Sequence, residues 1–94
     1  MDELLKRLKI DIGIMNSTVY DERLLSLLRT AEQEVKHFTG ASINIEADED
    51  AELVIDYASW MWLNRRQPTE MPKGLKYRLN CRAFARNTPG GLYS

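Results

Sequence analysis

Between Asp21 and Gly40 the apolar residues return at alternating intervals of four and three: Leu24, Leu28, Ala31, Val35 and Phe38. Residues so spaced share one line only on a helix, where about 3.6 residues complete a turn. The line is a narrow seam of the coiled-coil kind, and two heptads are too short to hold free helices together. The seam must therefore be buried inside a domain, and other elements must bury it. Ser17 or Thr18 is placed to cap this helix, Asp21 and Glu22 suit the positive end of its dipole, and Gly40 stops it.

Three more helical segments supply the partners. From Asp2 to Ile12, Leu4, Leu5, Leu8 and Ile12 share a face; Asp2 and Glu3 open the helix, and Gly13 is a left-handed stop. From about Asp50 to Arg66, apolar residues from Leu53 to Trp62 cover about 220° of the circumference, against about 100° for an outer helix of a small bundle. That helix is either central or serves two interfaces, with Ile55, Trp62 and Leu63 as the surplus. Pro72 suits the first position of a last helix bearing two apolar stripes, Leu75, Leu79 and Ala83 on one side and Tyr77, Cys81 and Phe84 on the other. Between the second and third helices, residues 41–48 form a linker in which Ile43 and Ile45 alternate with Asn44 and lie over the core.

The fold class that follows is all-α, a compact bundle of about four helices with a short linker between helices 2 and 3. Residues 1–87 make one domain, and 88–94 a flexible tail. Its predicted core is Leu24, Leu28, Val35, Phe38, Leu53, Tyr57, Met61 and Leu79. At 94 residues the chain buries about 60–65% of its unfolded surface, so apolar surface is left for a neighbour. No apolar run reaches the ~18 residues of a membrane span, and the acidic Met1-Asp2-Glu3 start is unlike a signal peptide. One cysteine forms no framework within the chain, and synthesis in the cytoplasm is the expected default.

The inventory for chemistry is short. His37 and Cys81 are single and on different helices; the reading for His37 is an imidazole at a helix C-terminus, and for Cys81 a small buried apolar residue. The acidic run Glu46 to Glu52 lacks the alternation and central glycine of a calcium loop and reads as a solvated helix start. No glycine-rich phosphate loop is present, so neither a catalytic residue, a cofactor nor a metal is assigned. Charge, however, is divided: residues 1–56 carry 13 acids and 6 bases, net −7, whereas residues 57–94 carry 1 acid and 7 bases, net +6. Arg78, Arg82 and Arg86 follow one another at i, i+4 on the last helix, a basic face for protein or for nucleic acid.

Three motifs resemble one family. Asp21-x-x-Leu24-Leu25-x-Leu27-Leu28-x-x-Ala31, closing on Phe38-Thr39-Gly40, is similar to the long helix of the small phage head–tail connector (head-completion adaptor) proteins. Trp62-x-Asn64-Arg65 looks like the Tyr-x-Asn-Arg that ends their central helix, and Met71-Pro72-Lys73-Gly74-Leu75, leading to Leu79, resembles the Leu-Pro-x-Gly-Val that opens their last. Together the motifs cover most of residues 4–84, in the family's order. The chain departs with Trp62 in place of tyrosine and with Arg82-Ala83-Phe84 where the family tends to have Tyr-Arg, and residues 88–94 match nothing in it.

The resemblance implies a structural protein without enzymatic activity or cofactor, assembled as a homo-oligomeric ring beneath the portal and joining the DNA-filled head to the tail. Its implied partners are further copies of itself, the phage portal protein and a downstream head-completion or tail protein. Nucleic acid enters only as DNA passing through the ring, and no membrane is involved. The implied location is the neck of the virion. The alternative is a small DNA-binding or DNA-packaging accessory protein using the basic face of helix 4; a regulator that binds another protein comes third. Candidate interface residues are Ile55, Trp62, Leu63, Tyr77, Arg78, Arg82 and Phe84. In a ring the contacts are head-to-tail, and Arg78, Arg82 and Arg86 of one subunit are expected to approach the acids between Glu46 and Asp56 of the next.

Overall fold

The computed structural model describes residues 2–67 and 69–84. They form α1 (Asp2–Ile12), α2 (Asp21–Thr39), α3 (Asp48–Asn64) and α4 (Lys73–Phe84), with no strand among the described residues. The expected 88–94 tail, and Arg86, lie outside the described residues.

Helices α1 and α2 end for local reasons. Gly13 takes φ 79°, its N–H reaching the Ile10 carbonyl at 3.2 Å while Ile14 N–H reaches that of Lys9 at 3.0 Å; this is the Schellman closure. Gly40, at φ 64°, closes α2 with a 2.8 Å bond from its N–H to the Lys36 carbonyl. Neither Ser17 nor Thr18 caps α2, which begins after Tyr20 without a side-chain cap. The Ser17 hydroxyl instead accepts the Val19 N–H at 3.3 Å inside the preceding loop. The start of α3 is also uncapped by Ala47; ahead of it Asn44 Oδ1 accepts the Glu46 N–H at 3.0 Å, turning the linker before it can extend. The Pro72 carbonyl accepts the Lys76 N–H at 3.0 Å, so the proline stands just before α4.

Every pair of helices is in contact except α1 and α4. The pair α2 and α3 is therefore central, with α1 and α4 on its two flanks, and the wide apolar arc of α3 is that of a central helix. Leu24, Leu28, Ala31 and Val35 of α2 are fully buried against Leu8, Val54, Ala58 and Leu79. Burying side chains the size of Leu24 and Leu28 contributes about 1.5–3 kcal/mol each. Ile43 is buried and Ile45 half-buried against the same core, where the alternation in the linker placed them.

Five residues depart from expectation. Phe38 is 44% exposed although it continues the seam of α2. A repeat of 3.5 residues drifts about 20° per heptad against the helix, so after two heptads the inward line falls between this position and its neighbour. That neighbour is Thr39, buried, with its hydroxyl donating to the Val35 carbonyl at 2.7 Å and accepting the Ala41 N–H at 3.2 Å. Ile55 and Trp62 are buried within the chain rather than left for another subunit. Tyr20, from the loop before α2, meets the Trp62 ring edge-on at 5.4 Å between centroids, and the Arg65 guanidinium lies 3.6 Å over it. Cys81 is exposed, because no other described helix covers the outer side of α4. Met61 lies half-buried at the margin of the core.

Candidate interaction surface

Helix α4 carries no acidic residue and faces two ways. Leu75 and Leu79 point into the bundle and are buried, with Ala83 half-buried beyond them. At 100° per residue, Lys73, Tyr77, Cys81 and Phe84 fall on the opposite arc, with Lys76 at its edge. Tyr77 and Phe84 are 69% and 66% exposed. Cys81, one turn beyond Tyr77, shares a hydrogen bond with its phenol and pushes the phenol above its usual range. Leu63, 66% exposed at the end of α3, is the remaining candidate that stands outside the core. The described candidates thus divide: Leu63, Tyr77 and Phe84 are at the surface, and Ile55 and Trp62 are interior.

The arginines between the two stripes are engaged within the chain. Arg78 pairs with Asp56, and Arg82 binds Asp50 through Nε to Oδ1 at 2.8 Å and Nη2 to Oδ2 at 3.3 Å. Nη2 of Arg82 also donates to the Ser42 carbonyl at 3.1 Å, tying α4 to the linker. As residue numbers rise along α4 their partners fall along α3, so the two helices run antiparallel. The acids expected to meet these arginines from a neighbouring subunit are met from the same subunit. Both arginines thus have a carboxylate within their own subunit, Arg82 in a largely buried pair and Arg78 in a pair that stays 44% exposed on the arginine side. Residue types alone carry no signal for this outcome: the match of 78 to 56 and 82 to 50 arises only when α3 and α4 pack side by side.

Asp50 is accordingly not part of a solvated helix start. It is buried at 6% exposure, and Oδ2 also accepts the Asn44 N–H at 2.9 Å. Glu46, Asp48, Glu49 and Glu52 around it are more open to water. On the other flank, Lys9 is buried with Nζ 2.9 Å from Asp21 Oδ1, a charge contact that lacks hydrogen-bond alignment and leaves that oxygen without another partner. Trp60 Nε1 is likewise buried without a partner. Burial pushes the Tyr57 phenol up to about 12, helped by the Glu34 carboxylate that accepts its hydrogen bond.

The motifs have local explanations in this geometry. Thr39 joins Val35 to Ala41 at the end of α2. At the end of α3, Arg65 Nη1 donates to the Trp62 carbonyl at 2.6 Å, and Asn64 Oδ1 accepts the Thr69 N–H across the turn toward α4. His37 is exposed in the last turn of α2, away from the cleft that Cys81 lines on α3 and α4. Among the described residues no three acids, histidines or cysteines converge as metal ligands do. No described helix is long and apolar enough to cross a membrane.

A family model, the phage gp6-like head-tail connector protein, matches residues 2–83, a span that takes in α1, α2, α3 and all but the end of α4. The chain belongs to this family of structural phage connectors. Its role is that of a head–tail connector, among other phage head and tail proteins. No curated protein and no solved structure matches the chain.

Proposed function

We propose that the chain is a head-completion adaptor that forms a homo-oligomeric ring beneath the portal and joins the DNA-filled head to the tail. The family match over residues 2–83 carries this reading. The physical picture supports it: a small domain fills its core and still exposes Leu63, Tyr77 and Phe84. Copies of the chain, the portal protein and a downstream head-completion or tail protein are its partners, and the neck of the virion is its place. DNA passes through the ring without being read. The chain is made in the host cytoplasm before assembly.

The test uses DNA-filled heads that carry a portal and lack this protein. Added purified chain is expected to appear by electron microscopy as extra density at the portal vertex, to retain the DNA and to allow tails to join. Heads that retain DNA and accept tails equally well without it would refute the adaptor role. A gel shift on the same preparation addresses nucleic acid: retention at low salt that falls steeply as salt rises marks phosphate contacts instead.

A further inference from the structure

A groove of about 700 Å³ opens between α1, the linker and the start of α3. Leu4, Ile43, Ile45 and Ala51 supply its apolar lining, and Glu3, Glu46 and Asp48 its exposed acids. None of these three acids has an ion-pair partner among the described residues. On α4 the complement is found: Tyr77 stands exposed, with Lys73 one turn before it and Lys76 beside it, and neither lysine has an ion-pair partner among the described residues. The volume lies within the ~300–1,000 Å³ of clefts that enclose small ligands, ample for an aromatic ring and the stems of flanking lysines.

We propose that the outer stripe of α4, centred on Tyr77 with Lys73 and Lys76 along one side of it, docks into the α1–linker groove of a second copy of this chain. The inference rests on the ring reading and names the two faces that meet in it. Helices α1 and α4 do not pack on each other, and the stripe lies on the side of α4 turned away from the buried Leu75 and Leu79, so stripe and groove are separate surfaces. Each copy offers one stripe and one groove, so the contact is heterologous and propagates from subunit to subunit, as closing a ring requires. The apolar ring supplies affinity, while Lys73 and Lys76 against Glu3, Glu46 and Asp48 set register and reject a stripe-to-stripe encounter. The charge division of the chain therefore acts between subunits through lysines, the arginines of α4 being engaged on α3.

Two full-length chains, each with one cysteine, test this. One carries Glu3→Cys with Cys81→Ser; the other is unchanged, with its own exposed Cys81 on the stripe. The two are mixed in equal amounts, with one isotopically labelled, and mildly oxidised. The mixed dimer, bridged from position 3 of the first chain to Cys81 of the second, is expected about tenfold above either like pair by mass spectrometry. Lys73→Glu with Lys76→Glu in the second chain should lower the mixed dimer about tenfold, and Glu46→Lys with Asp48→Lys in the first should restore it. Circular dichroism verifies that all four chains are folded. A statistical mixture of dimers, no cross-link, or a yield indifferent to charge reversal overturns the docking. If it is overturned while the chain still fills the portal vertex of heads, the adaptor reading stands and these faces are wrong. If the mixed dimer forms but heads are unaffected, the docking stands and the adaptor reading falls.

Discussion

Replacing Arg82 by methionine removes the guanidinium and keeps most of the stem that packs along α4. What it leaves behind decides the outcome. The Asp50 side chain is 9% exposed and that of Arg82 22%, so the pair is largely removed from water. Without Arg82 both Asp50 oxygens lose the guanidinium, and Oδ2 retains the Asn44 N–H at 2.9 Å. Breaking a fully buried pair costs about 3–5 kcal/mol, most of it from the stranded charge. Because Arg82 is partly open and water can enter its place, about 2–3 kcal/mol is expected here. Asp50→Asn strands no buried charge and keeps an acceptor, and about 1–2 kcal/mol is expected. Combining the two removes the stranded carboxylate, so the double variant should be no worse than Arg82→Met, a coupling of about 1–2 kcal/mol. Urea unfolding followed by tryptophan fluorescence measures all four corners of the cycle. For a domain of this size the single Arg82→Met change should lower Tm by about 8–24 °C. If Asp50→Asn is the more damaging, or both changes cost less than about 0.5 kcal/mol, the pair is a solvated surface contact and the reasoning fails.

Three further outcomes follow from the packing. Leu28→Ala, at a fully buried site between the central helices, should cost about 2–5 kcal/mol by chemical denaturation, whereas Phe38→Ala, at the half-open end of the same seam, should cost clearly less. Gly40→Ala places a Cβ in the left-handed region at φ 64° and should cost about 1–2 kcal/mol, measured as a lowered urea midpoint with an unchanged m-value. The Tyr57 phenol is raised from 10.0 to about 12 on folding, so its contribution to stability is intact below pH 10 and is lost as pH rises toward 12. Absorbance at 295 nm should show a late-titrating tyrosine in the folded protein that is missing from Tyr57→Phe.

Much of the architecture is legible in the residues because it is written in local periodicity. The spacing of Leu24, Leu28, Ala31 and Val35 demands a helix and a buried face, and Gly13 and Gly40 stand where a left-handed residue closes a turn. The fit to the connector family was legible for the same reason: Phe38-Thr39-Gly40 and Trp62-x-Asn64-Arg65 are helix-ending devices whose parts lie within a few residues of one another. The boundaries of α1 and the end of α2 came out at the residues these signals mark, whereas α2 began after Tyr20 rather than at a Ser17 or Thr18 cap, and α3 ran from two residues before the expected Asp50 to two before Arg66.

What the residues by themselves determined is therefore the set of helices, the inward face of each and the surplus of apolar surface, since all three depend on neighbours along the chain. Which surplus is used internally was decided only by tertiary structure. The wide arc of α3 is consumed because α3 lies between α1, α2 and α4, so Ile55 and Trp62 are interior while Leu63, a residue further round, is not. Arg82 and Asp50 are 32 residues apart, and nothing local distinguishes that arginine from one reaching toward a neighbouring subunit. Only the antiparallel packing of α4 on α3 brings guanidinium to carboxylate, because the pairing of charges is set by distance in space and a helix's own period is silent about what lies across from it.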